Sequence, residues 1–192
     1  MAGLRERNRA RTRADIRAAA LRLIVDQGYA ATTVDQIAKA ADVSPSTFFR
    51  YFPTKEDAVL TDDYDAPMVD VFRAQPKDIS ALAAFRTAIG QIFGGLTDEE
   101  RAQESVRLRV IFSVPELRDR MLGAFADSIV MLSELIAEHS GRSPEDPAVL
   151  HMAGAVVGVA MTAMVRASGN PQADPLALID EAIEALAAGL PL

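Results

Sequence analysis

The sequence predicts an all-α protein of about nine helices, three in a short N-terminal segment and the rest in a larger remainder. Helix-forming residues dominate from end to end, and Gly or Pro punctuates them at intervals of about 15 to 25 residues. No run of alternating β-branched residues is long enough for a strand.

The first helix is expected from about Asn8 to Gln27, with Ile16, Ala20, Leu23 and Ile24 on one face and Gly28 as its stop. Thr33 and Gln36 form a capping box that opens a second helix, ending near Ala41. Ser44 as N-cap and Pro45 at the first helical position open a short third helix, to about Tyr51. Pro53 breaks the chain, and Thr54 with Asp57 caps a fourth helix. That helix is expected to kink or break at Asp65-Ala66-Pro67, because proline disfavours helical geometry in the residue before it. Five more are expected over 79–95, 98–112, 116–139, 147–167 and 175–189. Thr97 followed by Asp98, Glu99 and Glu100 is an acidic start that suits the helix dipole, and Pro115 with Glu116 marks another. Ser140–Asp146 and Ser168–Pro175 read as loops.

The 192 residues are 49% hydrophobic and 24% charged, which excludes wholesale disorder and leaves enough chain for a real core. The absence of cysteine removes disulfides, thiolate metal sites and a cysteine nucleophile. His139 and His151 leave little room for a histidine metal site. No HExxH, P-loop or GxGxxG pattern is present, and Asp62, Asp63 and Asp65 lack EF-hand spacing. The sequence therefore points away from an enzyme, a metal site and a cofactor. The N-terminus, MAGLRERNRARTRAD, lacks the apolar segment of a secretory leader, so a cytoplasmic protein is expected. Pro147–Val165 is 19 residues without a formal charge and contains a Gly154-Ala-Val-Val-Gly158 spacing. It is rich in Ala and Gly, holds His151 and Thr162 and lacks aromatic anchors. It reads as a helix buried on all sides, with no membrane partner.

The net charge of −7, taken alone, argues against nucleic acid. Divided along the chain it reads differently. Residues 1–55 carry ten basic and five acidic side chains, a net of +5, and residues 56–192 carry ten and 22, a net of −12. A basic head (1–55) is joined to an acidic body (56–192), and such asymmetry points to nucleic acid.

Thr32–Leu60, TTVDQIAKAADVSPSTFFRYFPTKEDAVL, is a helix-turn-helix pattern. Val34, Ile37, Ala38 and Ala41 line the inner face of its first helix, Val43 plugs the turn, and Phe48 and Phe52 anchor the second. Ser44, Pro45, Ser46, Thr47, Phe49, Arg50 and Tyr51 are left pointing outward, as a recognition helix presents its N-terminal residues to base edges. Lys55 could meet a flanking phosphate. The arm Arg5, Arg7, Arg9, Arg11 and Arg13 is either a solvated terminus or a contact to the minor groove or phosphates.

This stretch resembles the N-terminal domain of the tetracycline-repressor (TetR/AcrR) family of transcriptional regulators over roughly residues 10 to 62. The resemblance implies that the first three helices bind DNA, the fourth links the domains, and the C-terminal domain dimerises and holds an inducer. By position it implies phosphate contacts from Thr33, Tyr51 and Lys55. It further implies base or phosphate contacts from Ser44, Pro45, Ser46 and Thr47, and a base-facing role for Arg50. The family commonly has tyrosine where this chain has Phe49, which can offer only apolar contact, for example to a thymine methyl.

Glu104–Arg142 is similar to a subgroup of that family thought to bind long-chain acyl-CoA or similar ligands, through the acidic DDYD, the RLR of 107–109 and SVPELRDRM of 113–121. Phe85, Ile89 and Phe93 form one apolar face, with Val110, Met121, Phe125 and Ile129 supplying others. Arg107, Arg109, Arg118 and Arg120 could meet an anionic head group. The alternative is a packed core with surface arginines. Gly154, Val157, Gly158 and Met161 with the stripe Ile179, Ile183 and Leu186 are expected at a homodimer interface, although that stripe could instead serve its own domain. The expected function is a dimeric repressor on a palindromic operator, released by an apolar or amphipathic ligand. The rival readings are an activator of the same fold and a helical adaptor without DNA activity.

Overall fold

The computed structural model describes residues 3–61, 64–170 and 172–190. Among them every regular element is an α-helix: α1 (Gly3–Gln27), α2 (Val34–Ala40), α3 (Pro45–Tyr51), α4 (Asp57–Leu60), α5 (Asp65–Arg73), α6 (Ala81–Phe93), α7 (Asp98–Ser113), α8 (Pro115–Ser140), α9 (Pro147–Ser168) and α10 (Pro175–Ala187). The fold is all-α as the sequence predicts, with ten helices rather than about nine. The added one comes from the segment after Pro53. Thr61 turns extended after α4, and Pro67 is the third residue of α5. A proline there loses nothing, because first-turn N–H groups have no acceptor within the helix. Asp65-Ala66-Pro67 thus opens a helix, and the break falls just before it.

The first core joins head to body. Ile16, Ala20 and Ile24 of α1, Ile37 of α2, Phe48 of α3 and Val59 of α4 pack in one cluster with Val110 and Ile111 of α7 and Leu117 of α8. This packing matters most for α2 and α3, which at seven residues each are too short to persist alone. The second core is built by α6, α8, α9 and α10 around Ile89, Leu132, Ile136, Val156, Ile179 and Ile183. A third cluster, Phe72, Ala84, Ala88 and Leu135, lies where α5, α6 and α8 meet. His139 belongs to that junction: its Nε2 lies 2.9 Å from the Ile79 carbonyl, and its ring lies 5.3 Å from that of Phe72.

By length and composition α9 could cross a membrane. It nevertheless packs on α8 and α10 and gives Val149, Ala153, Val156 and Ala163 to the second core. Burial on all sides does not hold within one chain. Leu150 and Val165 are exposed, and Gly154, Gly158 and Met161 between them are half-buried. One face of α9 is covered and another is not.

Candidate nucleic-acid interface and ligand cavity

The N-terminus of α3 is built from local hydrogen bonds. The Ser44 hydroxyl oxygen accepts from the Thr47 backbone N–H (3.1 Å) and lies 2.9 Å from Ser46 Oγ, while Ser44 Oγ–H donates to Thr47 Oγ1 (3.0 Å). Asp42 supplies the turn before it at φ 54°, a left-handed conformation that Asp tolerates better than most residues. Ser44, Pro45, Ser46, Phe49 and Arg50 are exposed on one element, Thr47 and Tyr51 are half-buried beside them, and Phe48 and Phe52 are buried beneath. Phe49 is 54% exposed, a large apolar side chain held edge-on to Phe48 at the surface. Thr33 is exposed at the N-cap of α2 and forms both halves of the expected capping box with Gln36. Gln27 Nε2 reaches Gln36 Oε1 at 2.9 Å and ties that cap back to α1.

The arginine arm is helical. α1 is continuous from Gly3, and Arg7, Arg9 and Arg11 are exposed along it. The Arg5 side chain lies outside the described residues. Asn8, Arg9 and Thr12 of α1 line a surface groove with Arg50 and Tyr51 of α3, so arm and recognition helix form one basic surface. Arg13 turns inward instead. Its guanidinium stacks 4.7 Å from the Phe52 ring centroid and donates to the Tyr51 carbonyl.

Lys55 also differs from expectation. Its Nζ donates to the carbonyls of Tyr29 (2.9 Å) and Thr32 (3.0 Å) and stands 3.9 Å from the Tyr29 ring centroid. Two of the ammonium's three protons therefore brace the α1–α2 turn. Beside it the Tyr29 hydroxyl donates to Glu56. Burial, this hydrogen bond and the adjacent carboxylate push the phenol far above its usual range. Burial alone would raise Glu56, but hydrogen bonds from Tyr29, its own backbone and Thr54 outweigh it and hold the carboxyl below its usual value.

Two body arginines grip the ends of α4. Arg120 donates to Asp57 Oδ1 (2.7 Å) and Thr54 Oγ1 (3.0 Å) at its start. Arg107, buried in α7, donates through Nη1 to the carbonyls of Val59 (3.0 Å) and Leu60 (3.1 Å) at its end. Glu104 holds Arg107 Nε at 2.9 and 3.0 Å. Neither arginine lines the body cavity, and Arg107 stands instead in a crevice beside α4. Their acceptors are 48 and 66 residues away, which no local pattern could reveal.

The body holds a cavity of about 200 Å³. Phe85, Ile89, Phe93 and Phe125 line it, as expected. Tyr64, Asp65, Met68, Met131 and Met164 join them from outside the expected set. Val110 and Met121 do not: Val110 lies in the head–body core, and Met121 packs against it. Ile129 packs on the second core, and Arg109 is half-buried on α7 away from the lining. Tyr64 is shared. Its ring meets Phe93 at 4.8 Å, and it also lines a second crevice of about 290 Å³ between α1, α4 and α7, where Arg107 lies. Asp62 and Asp63 lie outside the described residues. Among the described residues no group of three His, Cys, Asp or Glu side chains could hold a metal ion.

Residues 16–60 match the family of bacterial regulatory proteins called tetR, and residues 79–191 match the MftR C-terminal domain of such regulators. The chain belongs to the TetR family. It is 34% identical over 151 residues to the HTH-type transcriptional regulator TcmR of Streptomyces glaucescens, covering 75% of this chain and 67% of that one. It is 28% identical over 167 residues to MftR of Mycobacterium tuberculosis, a putative mycofactocin biosynthesis regulator, covering 82% and 80%. Among solved structures, FadR of Thermus thermophilus in complex with lauroyl-CoA aligns at a TM-score of 0.54 and 24% identity, covering 94% of this chain and 95% of that one. FadR of Bacillus halodurans aligns at 0.57 and 23%, covering 93% and 96%. These two show a shared fold.

In this TetR-family chain the expected dimer residues divide. Ile179 and Ile183 are 6% and 0% exposed inside the second core and have no surface to offer a partner. Leu186 and Val157 are half-buried against the same core. Gly154, Gly158 and Met161 remain on the uncovered side of α9 between exposed Leu150 and Val165. A Cβ added at Gly154 or Gly158 would meet nothing within 4 Å, so the protomer's own packing does not require these glycines.

Proposed function

We propose that this protein is a homodimeric repressor that leaves a palindromic operator when a small ligand fills the body cavity. The observation that carries the reading is Tyr64, which stands in the wall of both the cavity and the crevice beneath the head. A ligand that displaces this ring acts on the joint between α4 and α5, and Arg107 passes the displacement to the end of α4. Two α3 helices must sit about 34–36 Å apart to enter successive major grooves, so a small rotation at α4 spoils the fit. Coupling of about 1–3 kcal/mol would weaken operator binding some 5- to 150-fold. The contacts proposed for DNA are Ser44, Pro45, Ser46, Thr47, Phe49 and Arg50 toward bases and adjoining phosphates, with Thr33 and Tyr51 on the backbone and Arg9 flanking. Lys55 acts mainly as the brace beneath them. A repressor of this kind works in the cytoplasm, where its DNA lies.

The dimer is proposed to form on the Leu150–Val165 side of α9, where the two glycines allow backbones to approach. Gly158→Leu should give a folded monomer by analytical ultracentrifugation, with unchanged helicity and much weaker DNA binding. A variant that remains dimeric places the interface elsewhere. The principal test is fluorescence anisotropy with DNA from the regions flanking the gene. Saturable, salt-dependent preference for one palindrome is expected. Equal affinity for all duplexes sinks the operator reading, and no affinity at all favours an adaptor. A reporter that falls rather than rises on deletion of the gene would make it an activator.

The second reading of the ligand is an acyl-CoA. It follows from the likeness of Glu104–Arg142 to the acyl-CoA subgroup and from the lauroyl-CoA carried by Thermus thermophilus FadR.

A further inference from the structure

We infer that the body cavity takes a compact ring-shaped ligand that is neutral or cationic, and that it excludes anions such as acyl thioesters of CoA. The inference rests on the cavity being the effector site.

Shape comes first. At about 200 Å³ the cavity falls below the roughly 300–1,000 Å³ of sites for drug-sized ligands. Its wall is aromatic at Phe85, Phe93 and Phe125 and thioether at Met68, Met131 and Met164. Such a wall favours ring stacking and sulfur–aromatic contact over recognition of a long chain with a nucleotide.

Charge is the stronger argument. The lining contains no Lys, Arg or His among the described residues, and Asp65 is its one carboxylate. Ser128 donates its proton to the Ala124 carbonyl at 2.9 Å, which leaves it lone pairs to offer. Asp65 and Ser128 are therefore acceptors, and a ligand meets them best with an N–H or O–H donor. Aromatic faces add attraction for a cation. Arg109, whose Nη1 is buried without a hydrogen-bond partner, does not line the cavity, and four other arginines of the body are held elsewhere. Arg101 holds Asp174 (3.1 Å) and the Phe93 carbonyl (2.9 Å), Arg86 holds Asp180 and Glu184, and Arg107 and Arg120 hold α4. The net charge of −12 over residues 56–192 repels an approaching anion and draws a cation.

The test uses the full-length protein and three probes with one ring system: naphthylmethylamine, naphthylmethanol and naphthoate, with lauroyl-CoA as a fourth. Binding is read by isothermal titration at neutral pH. The amine should bind best, the alcohol next and naphthoate at least about tenfold more weakly than the amine, with lauroyl-CoA weakest. Asp65→Asn should shrink the amine-to-naphthoate ratio to about twofold and weaken the alcohol less than the amine. Ala160→Phe, in the cavity wall, should abolish binding of the amine and the alcohol. Met164→Trp serves if that variant does not fold. Naphthoate or lauroyl-CoA binding as tightly as the amine, or a ratio untouched by Asp65→Asn, overturns the ligand class and leaves the effector site standing. Probes that bind a folded cavity-filled variant unchanged sit elsewhere and overturn the site itself, as does failure of all four to bind.

Discussion

Head and body each bury a core and each expose a few large apolar side chains, Val25 and Phe49 among them in the head, but they differ in what is left open around the core. In the head Ile16, Ile37 and Phe48 are fully buried, the N-termini of α2 and α3 carry complete caps, and Lys55 and Arg13 brace its turns. In the body Val130 is 60% exposed and Leu122 51%, one face of α9 is bare, and a cavity remains between α6, α8 and α9. A site that reads a rigid duplex needs side chains held to fractions of an ångström, and full packing supplies that. A site proposed to admit a ligand and a second chain needs unfilled space and uncovered surface. The same helical material serves both, according to whether the space between helices is capped and braced or left as a cavity.

The sharpest way to break the contrast is Phe48→Ala. Removing a fully buried ring from the head's core should cost about 3–5 kcal/mol and abolish specific DNA binding. Because that core includes Ile111 and Leu117, urea unfolding followed by circular dichroism should remain one transition at lower denaturant. A body that melts at its original midpoint would show two independent cores. Arg107→Gln comes next. It leaves Glu104 half-buried with its main partner gone and two carbonyls without their donor, for about 3 kcal/mol. If α4 transmits the ligand signal, this variant should bind ligand normally and lose operator release. Preserved release would mean that coupling runs elsewhere. Arg50→Ala should cost about 1–3 kcal/mol on the operator and less on random DNA. An equal loss on both would make Arg50 a phosphate contact.

The smallest expected effect is a dependence on pH at the joint. Glu56 lies below its ordinary 4.5 in the folded state, so its contribution is present above that pH and fades as pH falls beneath it. Tyr29 lies above its ordinary 10.0, so its contribution is present below that pH and fades as pH rises beyond it. The pair stabilises the joint across the interval between, and Tyr29→Phe should flatten both edges of the stability profile by about 1 kcal/mol. Unchanged edges would assign the pH dependence to other groups.

What was legible in the sequence follows the range of the interactions. The caps at Thr33–Gln36 and Ser44–Thr47 join residues three apart, so spelling alone finds them. The exposed face of α3 was legible for the same reason, since one short helix carries it. The stripe Ile179–Ile183 was visible as a stripe, but its destination depends on where α6 and α9 lie, and they claim it for the protomer. Lys55 and Arg107 were visible only as charges, because backbone carbonyls carry no signature of the side chain that will seek them. Asp65 read as part of a break, and Tyr64 only as a letter of the DDYD resemblance; the packing of α5 against α6 is what puts them in the cavity wall.

The core shared by head and body has a consequence for how such a regulator diversifies. Val110, Ile111 and Leu117 lie far along the chain from α1 and α3, yet they close the core that Ile16, Phe48 and Phe52 share. A chimera that grafts this head onto another body, cut after Lys55, would set Ile16, Phe48 and Phe52 on an unmatched floor. Carrying Val110, Ile111 and Leu117 across with the head should restore the fit. Head and body in this molecule are thus inherited partly together, because a single set of side chains supports the fold of both.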